Sequence, residues 1–177
     1  MTNHAPERLQ TARLSLTRVT EEDFPELLVM HQDPRVMATL GGPRPVEELQ
    51  ARHQRNLDHW LQHGFGWWTA RLLDDGRLAG RGGLRHCHIA GCDEIELGYG
   101  FVAECWGQGL ATELAAESVR VGFEVMKLPE MVCFTLPTNK ASRRVMEKVG
   151  FVYEKDAEWA GMPHVLCRLR AGDYRQV

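Results

Sequence analysis

Residues 104–112 read Glu104-Cys-Trp-Gly-Gln-Gly-Leu-Ala-Thr112. Gly107 and Gly109 remove side chains just before a run with helical periodicity, so backbone amides there can face outward. A helix N-terminus adds positive potential, and together they form a cradle for an anion, with a pyrophosphate as the natural guest. The same glycines also serve a plain tight turn, and the spacing alone leaves both readings open. Two other phosphate motifs are excluded. The chain has no Gly-Lys-Ser/Thr of a Walker loop. Gly98-Tyr-Gly100-Phe-Val-Ala103 matches the GxGxxA dinucleotide pattern, but a helix should open at once after the second glycine. Here residues 103–107 intervene, and both glycines lie within an alternating strand. A nicotinamide-dependent oxidoreductase would rest on those two glycines alone.

Downstream, residues 110–127 predict a long helix. Glu113, Glu117, Arg120, Glu124 and Lys127 form a polar stripe, with Ala111, Ala115, Val119, Phe123 and Met126 on another face. Pro129 closes it. Residues 131–136 read as a strand and residues 141–149 as a short helix stopped by Gly150. Residues 151–155 and 165–170 read as the last two strands. Upstream, residues 94–102 are a strand, and Asp74-Asp-Gly76 joins strands 66–73 and 79–87 as a hairpin. Leu49, His53, Leu57, Trp60 and Leu61 mark a helix that opens at Pro45 and stops at Gly64. Phe24, Leu27, Leu28 and His31 mark an earlier one, capped by Thr20 and ended by Asp33-Pro34. Residues 13–19 alternate as the first strand.

This order predicts a single mixed α/β domain with a central sheet of about seven strands flanked by about four helices. The helix between strands four and five requires those two strands to be parallel. Residues 1–11 read as an N-terminal tail and residues 12–177 as the domain.

The chain has 177 residues, enough for a sizeable core without disulfides or metals. A formal net charge of −3 gives no reason to expect a nucleic-acid partner. The five cysteines are odd in number and scattered, which fits reduced thiols in the cytoplasm better than a disulfide framework. No run is apolar enough for a signal peptide or a membrane span, so a soluble protein is expected. His86-Cys-His88 with Cys92 invites a metal reading, but its groups alternate across a strand and no second Cys/His pair is spaced for zinc. No metal is expected. Trp67 and Trp68 are neighbours on a strand, so only one can enter the main core, leaving the other for an acceptor site or partner surface.

Four segments then resemble the GNAT N-acetyltransferase family in order and spacing. They are RLSLTRVTEEDF near the start, EIELGYGFVAECWGQGLATE in the middle, Asn139-Lys-Ala-Ser142, and Glu147-Lys-Val-Gly-Phe151. The loop Trp106-Gly-Gln-Gly109-Leu-Ala111 matches the family's acetyl-CoA motif at Gly109 and Ala111. Its aromatic first position resembles the branch of ribosomal-protein N-terminal acetyltransferases. The resemblance covers about residues 12–170.

The resemblance implies that strands four and five splay. The amides of Phe101 and Val102 would then hold the pantetheine arm and acetyl carbonyl. Those around Gly107, Gln108, Gly109, Ala111 and Thr112 would hold the pyrophosphate. Asn139 would touch the pantetheine arm, or cap the helix that follows it, or both. The activity implied is transfer of acetyl from acetyl-CoA to a primary amine, by direct attack in a ternary complex. Glu96 is the expected base, with Glu94 on the same strand face in reserve. A solvated strand carboxylate is the plainer reading of each. Many family members carry a tyrosine acid where this chain has Met146. Ser142 is the polar group left nearby, expected to position the coenzyme sulfur. The missing tyrosine also admits a non-catalytic acyl-CoA-binding module. The acceptor, whether a protein N-terminus or a small amine, carries no readable code, and a homodimer is compatible with the sequence without following from it.

Overall fold

Turn residues and alternation place eight strands in one sheet. The structure, a computed structural model, describes residues 4–175. The strands are β1 (Arg8–Gln10), β2 (Leu14–Arg18), β3 (Trp67–Leu72), β4 (Leu78–Ile89), β5 (Cys92–Phe101), β6 (Glu130–Thr135), β7 (Val152–Trp159) and β8 (Met162–Arg170). The helices are α1 (Phe24–Gln32), α2 (Pro34–Thr39), α3 (Val46–His63), α4 (Leu110–Arg120) and α5 (Lys140–Lys148). The sheet order is β1-β2-β3-β4-β5-β6-β8-β7. Every pair is antiparallel except β5–β6, where α4 carries the chain back to the starting end.

The mixed α/β fold and the parallel central pair are as the sequence predicts. Four details differ. Residues 8–10 of the expected tail pair with residues 15–17, so the sheet begins before residue 12; three residues are too few for alternation to show. Asp33-Pro34 ends one helix and also starts another, because the Asp33 carboxylate accepts from the Arg35 amide and Pro34 fills the first helical position. The helix from Leu110 turns to π geometry over residues 121–125, with the Met126 amide bonded to the Val121 carbonyl. There Gly122 lets the backbone meet Met131: a Cβ at that position would lie 2.6 Å from its sulfur. The β4–β5 and β7–β8 hairpins also run longer than expected, turning tightly at Ala90–Gly91 and Ala160–Gly161.

The two faces of the central strands carry different elements. A Cβ on Gly82 would strike Leu114 of α4, while one on Gly98 would strike the Trp67 indole on the other face. Tyr99 meets α5 at Ser142 on the α4 side. Leu40 and His31 approach Gly100 and Arg81 on the Trp67 side. Trp68 points the other way from Trp67 into the core, 1% exposed, with its N–H donated to the Pro6 carbonyl.

The β5–β6 seam is open. The β4–β5 ladder runs without interruption from Gly80–Phe101 to Ile89–Cys92, but β5 and β6 share only the pair Glu96–Val132. Arg168 of β8 ties the strands near that pair. Its guanidinium contacts Glu94 of β5 at 2.7 Å, Glu130 of β6 at 2.7 Å and Glu154 of β7 at 2.5 Å, with only 9% of its side chain exposed. Glu94, the reserve base in sequence terms, is therefore a structural anion.

Arg168→Met should destabilise the fold by about 2–4 kcal/mol, because the change leaves half-buried carboxylates without their cation. Arg168 also holds the Glu154 carboxyl below its usual range. A depressed carboxylate stabilises fully above its unfolded pKa and loses that effect as pH falls through the lower folded value. Urea titrations should thus show the largest gap between wild type and variant near neutral pH and a smaller one in acid. A constant gap would remove the ion-pair account.

Candidate active site

Alternation along β5 aims its residues at two sides of the sheet, and the open seam joins those sides. A cavity of 1340 Å³ is lined from the Trp67 face by His31, Trp67, Arg81 and Glu96, and from the other face by Tyr99, Ala111, Ser142 and Val145. The cavity therefore passes through the sheet where β5 and β6 part.

On one side, Glu96 is buried, 6% exposed. Its Oε2 accepts from Arg85 Nε at 2.7 Å. Oε1 lies over Gly98, 3.2 Å from where a Cβ there would sit. Arg85 in turn lies 4.3 Å from the centre of the Trp67 ring. Gly98, one of the two glycines of the dinucleotide pattern, is small because the Trp67 indole covers it.

On the other side, the Tyr99 hydroxyl stands 3.0 Å from Ser142 Oγ and donates to the Ser142 carbonyl at 3.1 Å. Burial pushes the Tyr99 phenol well above its ordinary pKa, so it keeps its proton. Met146, where the family resemblance leads one to expect a tyrosine, is core, 1% exposed. Asn139 caps α5, its Oδ1 accepting from the Ser142 amide at 3.1 Å, and it also lines the cavity.

The loop before α4 has the backbone that an anion cradle needs. Gly107 and Gly109 have φ of +74° and +80°, in the region that favours glycine, and Gly109 is the N-terminal cap of α4. A Cβ on Gly107 would meet nothing within 4 Å, so the space beside it is open. The first amides of α4 have no partner within the helix. Gly107, Gly109, Ala111 and Thr112 all line the cavity. This chemistry fits a pyrophosphate. At Gln108 the side chain donates to the Glu104 carbonyl and the backbone carbonyl accepts from Arg13 at 2.8 Å, which fixes the loop and engages neither of them with the Gln108 amide. Arg13 and Thr11 both bind Glu113, fastening the β1–β2 corner to α4.

Val102 requires a correction. Its amide donates to the Ala79 carbonyl at 2.9 Å and faces β4, not the seam. The antiparallel alternation turns the Phe101 amide the other way, toward β6. The Phe101 carbonyl accepts from Trp106 Nε1 at 2.9 Å, so the loop's aromatic residue fixes the end of β5.

His31 and His59, on the Trp67 side, are neutral at neutral pH. Burial and the neighbouring Arg81 push His31 down to about 3, and burial pushes His59 to about 4. His86 meets His59 and His63 instead of Cys92, with one nitrogen of each histidine within 4.8 Å of the others. His59 uses both nitrogens, one against the Phe65 carbonyl and one accepting from the His86 amide. As folded, the three imidazoles pack edge-on and tilted against one another and against Phe65.

Sequence reasoning missed Tyr99, Arg81, Arg85 and Arg13. The alternation of β5 set Tyr99 opposite Glu96, which was a usable signal; the arginines carried none.

Residues 13–152 match the family model for the acetyltransferase (GNAT) domain. The FsC-acetyl coenzyme A-N(2)-transacetylase of Aspergillus fumigatus is 32% identical over 165 residues, covering 86% of this chain and 68% of that protein. A crystallised acetyltransferase from Agrobacterium tumefaciens superposes with a TM-score of 0.83 at 26% identity, covering 94% of this chain and 95% of that one. The structure of the ribosomal-protein-S5-alanine acetyltransferase from Vibrio fischeri gives a TM-score of 0.73 at 15% identity, covering 95% of this chain and 98% of that one, a likeness of fold. The chain belongs to the GNAT acetyltransferase family.

Gly109→Val should lower acetyl-CoA affinity at least tenfold while the protein stays folded, since a β-branched residue resists φ of +80° and would swing the first amides of α4 out of line. Calorimetric titration with acetyl-CoA checks this. Unchanged affinity in a folded variant would take the loop out of the cofactor site.

Proposed function

We propose, on the premise that the chain is a GNAT acetyltransferase, that it moves acetyl from acetyl-CoA to a primary amine in a ternary complex, with the two substrates meeting at the β5–β6 seam. The observation that carries this reading is the cavity that crosses the sheet, with a carboxylate at one mouth of the seam and a phenol at the other. Among the described residues, no helix is long and apolar enough to cross a membrane.

Acetyl-CoA supplies an activated thioester. The residues on hand divide the remaining work. The amides at the start of α4 hold the pyrophosphate, and the Phe101 amide faces the acetyl carbonyl, where a preorganised donor counters developing negative charge. Glu96 Oε1, free of Arg85, accepts the proton of the incoming ammonium directly or through water. On the far side, Tyr99 keeps its proton and can give it to the departing sulfur, with Ser142 orienting the phenol. Tyr99 thus takes the place left by Met146, from a different element. That arrangement favours an enzyme over a binding module.

Glu96→Gln should lose about 10²–10⁴-fold in turnover. Its acetyl-CoA affinity should hold, and part of the rate should return at high pH, where the amine is already deprotonated. A pH–rate comparison with one good acceptor tests this; coincident profiles would leave Glu96 as a partner of Arg85 alone.

Tyr99→Phe should cost more than Ser142→Ala. A loss of about tenfold or less is expected for the serine and about 10²-fold for the tyrosine. Equal, small losses would mean that the thiolate leaves without a protein acid.

A further inference from the structure

The Trp67 side of the cavity holds a cation that the reaction at Glu96 does not use. Arg81 lies deep among protein atoms yet keeps part of its surface, because it lines the cavity. Its guanidinium carbon stands 3.8 Å from the centre of the Trp67 ring. Arg85, 4.3 Å from the same ring, is neutralised by Glu96. Arg81 has no such partner: among the described residues, no carboxylate forms an ion pair with it. Its acceptor is His31 Nε2 at 3.2 Å, a neutral imidazole.

A guanidinium taken from water without an anion is costly. The cost shows here: burial and the like charge of Arg85 push Arg81 down to about 9, although the charge of Glu96, too far for an ion pair, acts the other way. Trp67 repeats the pattern, since its indole N–H is the one buried side-chain polar atom, among the described residues, without a hydrogen-bond partner. Stacking on the ring fixes the plane of the guanidinium, leaving edge N–H groups beyond those that His31 takes. That planar fork matches a carboxylate. A single positive charge with no ion-pair partner also matches a monoanion better than a phosphate.

We propose that Arg81, stacked on Trp67, is the subsite for a carboxylate on the acceptor, so that the acceptor is a small amine carrying its own carboxylate. The proposal rests on the transferase reading above, with the amine at Glu96 and the carboxylate at Arg81. Both ends are set by one ring, since Arg81 and the Arg85–Glu96 pair flank Trp67. One short molecule can therefore reach both.

The test is calorimetry on the protein loaded with coenzyme A, titrated with glycine through 6-aminohexanoate, each against its carboxamide, and with O-phosphoethanolamine. At the best chain length the carboxylate should bind at least about tenfold tighter than its amide, as expected for a charge-assisted fork. Arg81→Gln should bring that ratio to within about twofold while coenzyme A affinity holds. If Arg81→Gln does not fold, Arg81→Lys serves, and its ratio should fall because a point charge replaces the fork. The subsite is overturned by no binding of any ligand, by equal binding of acid and amide, by preference for the phosphate, or by a ratio that survives the substitutions. Acetyl transfer to the same ligands separates the two ideas. Selective binding without transfer keeps the subsite and removes the transferase reading; transfer without carboxylate preference does the reverse.

Discussion

The structure depends on one incomplete strand pairing. β5 and β6 are parallel neighbours that share the pair Glu96–Val132 and then separate. Backbone groups past that point lack a strand partner, and such groups need some other acceptor or donor. The seam is therefore both a gap in the sheet and a row of directed amides. It stays closed at one end because Arg168 gathers carboxylates from β5, β6 and β7 onto one guanidinium. Antiparallel ladders on both sides hold β5 and β6 at their outer edges, so the opening cannot spread.

Strand alternation converts that gap into a site with two chemistries. Glu96 and Gly98 face the Trp67 side, and Tyr99 faces α5. A buried carboxylate and a buried phenol thus sit three residues apart on one strand but on opposite sides of the sheet. Their surroundings differ: the carboxylate is paired with an arginine, and burial pushes the phenol well above its ordinary pKa.

Trp67 organises the other wall. Its indole covers Gly98, carries Arg81 and Arg85 on its faces, and has its carbonyl held by the Trp60 N–H at 2.8 Å. Since α3 supplies Trp60 and α1 supplies His31, the helices before β3 are what shape the pocket beside Glu96. The segments with the least recognisable sequence are those that line the cavity on the Trp67 side.

The sequence by itself determined the sheet, its parallel pair and the glycine loop. Alternation, caps and turn residues are local, and positive φ at Gly107 and Gly109 needs glycine whatever surrounds it. It also set Trp67 and Trp68 on opposite faces, since adjacent strand residues must diverge. It could not tell Glu94 from Glu96. Both alternate onto one face, and only the arrival of Arg168 from β8 makes the first an ion-pair partner, while Arg85 leaves the second one free oxygen. It placed Val102 in the cofactor's path, but the ladder phase that gives that amide to Ala79 depends on the pairing of β4 with β5. Tyr99 beside Ser142, and Arg81 without an anion, are long-range contacts. Such contacts have no sequence spacing to betray them, so only the tertiary structure decided them.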